Sequence, residues 1–286
     1  MKHLFTFLLP VLLGCVTSCD LINPEEPVPA YIEVQEIKVT TDFSLQGSAA
    51  SKISDAWIFV DDNLVGAFEL PCRIPALYSG SHKLAIGPGV KINGISATRA
   101  PYPFYKSYIT TVNFEPGKAI SLEPVVTYFD SINFAFLANF DDLSGNRIEA
   151  APSSDTTAAL TSIPSEVFEG NGSFKATLLR DSGYVAFQMV DAISLPQGGN
   201  LVYMELNYSC TEEVTVGITA NYSGSSVNTR ILYLGKTEGW NKIYINLTPS
   251  VTASQNAENF RIYFTSYKAP GTQPLKLFID NLKIIY

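Results

Sequence analysis

The stretch LVYMELNY, residues 201–208, puts Val202, Met204 and Leu206 on one side of an extended backbone and Tyr203, Glu205 and Asn207 on the other. Side chains alternate across a strand with a period of two, so the first set is built for a core and the second for a polar face. The same period recurs on both sides of it. Val185, Phe187 and Met189 oppose Tyr184, Ala186 and Gln188; Ile243, Ile245 and Leu247 oppose Tyr244 and Asn246; Phe260, Ile262 and Phe264 oppose Arg261 and Tyr263. Elsewhere short β-branched and aromatic runs keep ending at Gly, Pro, Asn or Asp, and no stretch carries a convincing helical period. The chain reads as all-β.

Upstream, strands are expected at residues 32–39, 56–60, 64–69, 82–86, 108–114 and 119–126, with Asp61-Asp62-Asn63 as a tight hairpin turn. A chain of 286 residues that is 46% hydrophobic and 16% charged, with 15 Tyr and 17 Phe, has room and apolar material for two β domains. Its formal net charge of -8, with no Lys/Arg cluster, argues against a nucleic-acid partner.

The N-terminus begins Met1-Lys2-His3, followed by an apolar run over residues 4–13 that Pro10 interrupts. Such a run is too short to cross a hydrocarbon layer about 30 Å thick, and it reads as a cleavable signal. Val16-Thr17-Ser18-Cys19 resembles the lipobox of bacterial lipoproteins. That resemblance implies a signal peptide over 1–18, a lipid on Cys19, and anchorage in the outer membrane, at the cell surface or on the periplasmic face. Leu12-Leu13-Gly14-Cys15 leaves a second cleavage position open. Residues 19–30 are acidic and proline-rich, suited to an extended tether. Cys72 and Cys210 are then the remaining thiols, expected to be buried and free rather than bridged.

Within residues 31–128, Val60-Asp61-Asp62, Val65-Gly66, Pro71 and Gly80-Ser81-His82 resemble the strand, turn and loop signature of PEGA and transthyretin-like modules. The resemblance implies a small Ig/transthyretin-like sandwich acting as a spacer. Tyr102, Phe104 and Tyr105 follow in a Gly/Pro-rich loop near Arg99. They either present aromatics to a ligand or, the favoured alternative, fold back to seal an interface with the next domain.

Residues 131–286 carry Asn139-Phe140-Asp141-Asp142, Phe168-Glu169-Gly170-Asn171-Gly172-Ser173-Phe174-Lys175, Gly239-Trp240-Asn241-Lys242 and Leu277-Phe278-Ile279-Asp280-Asn281-Leu282. In order and spacing these resemble the galactose-binding-like β-jelly rolls to which many carbohydrate-binding modules belong. The resemblance implies a β-jelly-roll sandwich with Trp240 in its core. It also implies a structural calcium held by Asp141 or Asp142 and Asp280. The alternative is that Asp280 and Asn281 merely end a strand.

Catalytic chemistry has little to rest on. His82 is the one histidine beyond the signal, no G-x-S-x-G elbow occurs, and no His/Cys spacing suits zinc. Glu169, Asp181 and Glu205 could serve a carboxylate-based glycosidase, though nothing in the sequence pairs any two of them. Binding is better supplied. Tyr203, Glu205, Asn207, Tyr244, Arg261 and Tyr263, with Gln188, offer aromatic faces for sugar C–H groups and polar groups for hydroxyls, if they share one face. The alternative is a solvated sheet whose tyrosines are ordinary β formers. The expectation is a non-catalytic, membrane-anchored glycan-binding protein. It is similar to surface lipoproteins of Bacteroidota-type bacteria, with a polysaccharide or oligosaccharide and an outer-membrane transporter complex as partners. The rival is a structural or adhesive envelope protein, pilus-like, working by strand exchange.

Overall fold

A computed structural model describes residues 26–143, 145 and 147–286. The signal peptide, Cys19 and residues 19–25 of the tether lie outside the described residues. Among the described residues the first strand, β1 (Ala30–Val34), buries Ala30, Ile32 and Val34 and is followed by β2 (Lys38–Val39). A short helix, α1 (Phe43–Gln46), starts where the Asp42 carboxylate accepts from the Ser44 N–H. Then come β3 (Asp55–Val60), β4 (Asn63–Glu69), β5 (Cys72–Ala76), β6 (Gly80–Lys91), β7 (Arg99–Pro101), β8 (Tyr108–Phe114), β9 (Ala119–Leu122) and β10 (Val125–Val126). One sheet runs β5-β1-β9, and a second runs β4-β3-β6 with β7 and β8 end to end on the far edge of β6. A two-stranded sheet, β10-β2, completes this part.

The hairpin turn between β3 and β4 is as expected, with Asp61 and Asp62 at φ 49 and 65. Two elements were illegible for a shared reason, proline. β5 contains Pro75 but lies on a sheet edge, where a missing N–H is tolerated. β6 continues through Gly87-Pro88-Gly89, which reads as a break; a β-carbon on Gly89 would come within 2.9 Å of the Trp57 indole, so the glycine lets that ring lie on the strand.

The second part comprises β11 (Phe134–Ala138), β12 (Ile148–Ala150), β13 (Ala159–Thr161), β14 (Ser173–Leu178), β15 (Gly183–Met189), β16 (Tyr203–Cys210), β17 (Val214–Tyr222), β18 (Ser225–Leu234), β19 (Asn241–Asn246), helix α2 (Thr248–Ala253), β20 (Asn259–Lys268) and β21 (Leu275–Ile285). If β14 to β21 are counted as strands 1 to 8, one sheet has the order 1-8-3-6 and the other 2-7-4-5, which is the jelly-roll topology. β11 and β13 extend the first sheet to six strands, and β12 extends the second to five. The core between them takes the inward set: Val185, Phe187, Met189, Val202, Met204, Leu206, Ile243, Ile245, Phe260, Ile262 and Phe264 are all buried there.

The six-stranded sheet has no solvent face over β16, β19 and the end of β21, because the first sandwich packs against it. Tyr102, Phe104 and Tyr105 fold back as the favoured alternative had it, buried against Tyr203 and Tyr244. The Tyr102 ring centroid lies 4.7 Å from that of Tyr244, and the Phe104 centroid 5.4 Å from that of Tyr203. Backbone bonds reinforce the joint, the Asn93 N–H donating to the Tyr244 carbonyl at 2.7 Å and the Asn246 N–H to Asn93 Oδ1 at 2.8 Å. The first sandwich thus covers one jelly-roll sheet and leaves the outer face of the other free.

Candidate functional site: a polar cleft on the open sheet

Strand pairing lays the outward residues of the five-stranded sheet in rows. Gln188, Tyr263, Gly217 and Arg230 form one row across β15, β20, β17 and β18; Arg261, Thr219 and Asn228 form the next. All of these but Gly217, together with Tyr184 and Asn221, line a cleft of about 540 Å³. Its floor is shaped by Gly217, where an added β-carbon would come within 2.0 Å of Tyr263 Cζ; the tyrosine ring therefore lies across the glycine. A ring laid on backbone keeps its other face for the cleft. Burial raises the Tyr263 pKa, with the Tyr184 hydroxyl adding to the rise and the Arg230 charge opposing it, so the three side chains share one neighbourhood.

Polar groups stand around that ring. Thr219 Oγ1 donates to Asn228 Oδ1 at 2.7 Å, Asn221 Nδ2 to Asn259 Oδ1 at 2.8 Å, and Gln188 Nε2 to Glu149 Oε1 at 2.9 Å. Arg230 donates to the Tyr233 hydroxyl and stacks over its ring, 4.8 Å from the centroid. Arg261 Nε is buried with no partner among the described residues. Nε itself is enclosed by protein, so a ligand oxygen at the cleft would be met by the rest of the Arg261 guanidinium.

Of the residues expected to share one glycan-binding face, the structure brings together Arg261 and Tyr263, with Gln188. It places Tyr203, Glu205, Asn207 and Tyr244 on the opposite sheet, at 4%, 0%, 2% and 2% exposure, under the first sandwich. The alternation was sound, but these outward side chains face protein rather than solvent. Glu205 sits at the centre of a buried network: Oε1 accepts from the Tyr102 and Tyr128 hydroxyls at 2.7 and 2.8 Å, and Oε2 lies 3.0 Å from Lys242 Nζ. Burial alone would raise the Glu205 pKa, but the Lys242 and Lys283 charges and the Tyr102 hydroxyl overcome it and hold the carboxyl below its usual range. Lys283 is pushed down to about 8 by the same burial, against the pull of Glu205; its Nζ donates to the Ser48 carbonyl at 2.6 Å. The cleft residues that sequence reasoning passed over are Tyr184, Thr219, Asn221, Asn228 and Arg230. The signal was present, since Val214, Val216, Ile218 and Ala220 alternate with Thr215, Gly217, Thr219 and Asn221.

The three carboxylates weighed for glycoside cleavage are scattered. Glu205 is sealed in the interface, Glu169 accepts from Ser48 and Asn281, and Asp181 accepts from the Gly271 N–H. His82 braces a hairpin, Nδ1 2.6 Å from Asp61 Oδ2 and Nε2 3.0 Å from the Ser79 carbonyl. Cys210 is buried and free, with burial pushing its thiol to about 12, whereas Cys72 is free but only partly buried. Trp240 is half-buried rather than in the core, packed edge-on against Phe168 at 5.5 Å between ring centroids.

Asp141 and Asp280 both reach the 169–173 loop. Asp141 accepts from the Asn171 N–H, and Asp280 accepts from Ser173 Oγ at 2.7 Å and the Asn281 N–H at 2.7 Å. Burial, with the Asp141 charge adding to it, pushes Asp280 up to about 6 despite those donors. Hard oxygens that repel one another are the donor chemistry calcium prefers. No group of three or more His, Cys, Asp and Glu suited to a metal occurs among the described residues, so backbone or water oxygens would have to fill the sphere.

The fold and the cleft define a jelly-roll β-sandwich with one ligand-accessible sheet. No family model matches the chain, and no curated protein does. Solved structures give distant likenesses. One is a carbohydrate-binding module of the β-sandwich superfamily, at 14% identity and TM-score 0.40, covering 81% of this chain and 85% of that one. Another is a family 11 carbohydrate-binding module from Clostridium thermocellum, in complex with a β-1,3-1,4-mixed-linked tetrasaccharide, at 10% identity and TM-score 0.34, covering 52% and 93%. A third is the enzymatically active domain of tailspike protein 4 from bacteriophage CBA120, at 14% identity and TM-score 0.40, covering 51% of this chain and 20% of that chain. The present chain thus spans a fifth of the tailspike chain, and likenesses this distant leave function to be argued from the residues.

Proposed function

We propose that this chain is a lipid-anchored protein that binds a polysaccharide or oligosaccharide in the cleft of its open sheet and does not cleave it. The observation that carries the reading is Tyr263, laid across Gly217 with guanidinium, amide and hydroxyl groups in the adjoining rows. A sugar ring presents C–H groups on its faces and hydroxyls around its rim, and this arrangement offers an aromatic surface to the first and hydrogen-bonding groups to the second. The lining holds no Asp, Glu, His or Cys, so the chemistry these residues offer is recognition.

A lipid on Cys19 would hold the protein at the outer membrane, facing outward, with the tether and first sandwich as a spacer on the side opposite the cleft. The partner at the membrane would be a transporter complex that takes up the glycan. Metabolic labelling with a palmitate analogue, lost in Cys19→Ala, tests the anchor. Calcium between Asp141 and Asp280 belongs to the same reading as a structural ion. It is supported by a melting temperature that rises with calcium over chelator, in wild type but not in Asp280→Asn; an unchanged value removes it.

Affinity electrophoresis of the detergent-solubilised protein through gels containing single polysaccharides tests the binding itself. Retardation in at least one gel, lost in Tyr263→Ala at an unchanged melting temperature, is expected. Free migration in every gel, with higher oligomers in solution, would favour the adhesive rival, for which β18 offers an edge strand.

A further inference from the structure

The chain has six arginines, and their partners divide them sharply. Arg73 pairs with Glu33, Arg99 with Asp55 and Glu69, Arg147 with Asp191, and Arg180 with Asp155. Arg230 and Arg261 have no carboxylate partner among the described residues, and both line the cleft. In a protein with a formal net charge of -8, carboxylates are abundant enough to have paired them. Instead the lining contains two guanidinium groups and no acid; of the carboxylates at its rim, Glu149 accepts from Gln188 Nε2, and Asp155 accepts from the Tyr184 N–H and pairs with Arg180.

The two arginines are placed for one ligand. Arg261 lies two residues along β20 from Tyr263, a step of about 7 Å, and Arg230 lies in the row of Tyr263 but two strands away on β18, about 10 Å across the sheet. A sugar ring over Tyr263 meets Arg261 from along β20, and Arg230 reaches it with its long side chain from across β17. An arginine held without a counter-ion beside a desolvating aromatic surface favours an oxyanion that can take two parallel N–H bonds, which a carboxylate or a sulfate each offers with two of its oxygens.

Resting on the reading of the cleft as a glycan site, we infer that its ligand is an acidic glycan, with a sugar carboxylate or sulfate seated on Arg261 and Arg230 and the ring against Tyr263. Neutral chains of the same backbone bind less well, because they leave the Arg261 guanidinium without an oxyanion.

The test compares four probes by affinity electrophoresis or calorimetry at 0.15 M salt: polygalacturonate, the same polymer fully methyl-esterified, alginate and dextran sulfate. Binding of polygalacturonate or alginate with little binding of the ester assigns a carboxylate; binding of dextran sulfate alone assigns a sulfate. Arg261→Gln weakens the acidic probe about tenfold or more while leaving the melting temperature in place, as loss of a charge-assisted bond requires. Tyr263→Ala weakens it as well, which separates recognition from ion exchange. Equal binding of acid and ester, or retardation by neutral polysaccharides only, overturns the acidic assignment and leaves glycan binding standing. Binding of all polyanions unaffected by Tyr263→Ala and abolished by high salt overturns both, as does no binding to any probe or to any neutral polysaccharide.

Discussion

Burying Glu205 takes a carboxylate out of water, which is tolerable only because Lys242, Lys283, Tyr102 and Tyr128 surround it. Glu205→Gln keeps the shape and removes the charge that two buried lysines face, at an expected cost of about 3–5 kcal/mol. The pH dependence has a definite sign. A carboxyl whose folded pKa is depressed stabilises above its unfolded value, near 4.5, and that contribution is lost as pH falls through the lower folded value. The stability gap between wild type and Glu205→Gln in urea unfolding should therefore be widest at neutral pH and narrow in acid. Equal stability at pH 7 would contradict the network. The same residue shows the reach of the sequence: its parity in the strand was legible, but its burial was not, since alternation reports two faces without reporting what covers the second. A clue lay in Tyr203 and Tyr244, large rings on the polar side of strands whose other side already fed the core.

At the scale of the element, β17 and β20 build the floor of the cleft through one missing side chain. Gly217→Ala would put a β-carbon where Tyr263 Cζ lies, and because the obstacle is the far end of a side chain, the ring should swing away and the sheet survive. Losing an aromatic contact of about 1 kcal/mol should weaken glycan binding roughly five- to tenfold, with little change in melting temperature. Unaltered affinity would show that Tyr263 is not the platform. The jelly-roll strands were largely readable because each buries one face and obeys a period of two. β5 and the full length of β6 were not, because proline and glycine read as punctuation in a sequence, whereas Pro75 is tolerated on an edge strand and Pro88 falls in the gap between β8 and β7 alongside β6.

As a whole, the molecule is two sandwiches joined by a face with a continuous aromatic and ionic interior. Tyr203, Tyr244 and Ile285 belong to the core of the first sandwich although they are part of the jelly roll. Calorimetry should accordingly show one cooperative unfolding transition, since separating the parts exposes the shared aromatic core around Tyr102, Phe104, Tyr203 and Tyr244 and strips Glu205 of its two hydroxyl donors. Two separable transitions would contradict a shared interior. This joint fixes which sheet meets solvent, and with it the place of the site: the two residues expected on β20 stayed in it, and the four expected on β16 and β19 left it.

Hydrogen–deuterium exchange with and without saturating bound glycan tests that placement most directly. Added protection should concentrate on β15, β17, β18 and β20, with β16, β19 and the 102–105 loop unchanged. Protection centred instead on β16 and β19, or none anywhere on the open sheet, would contradict it.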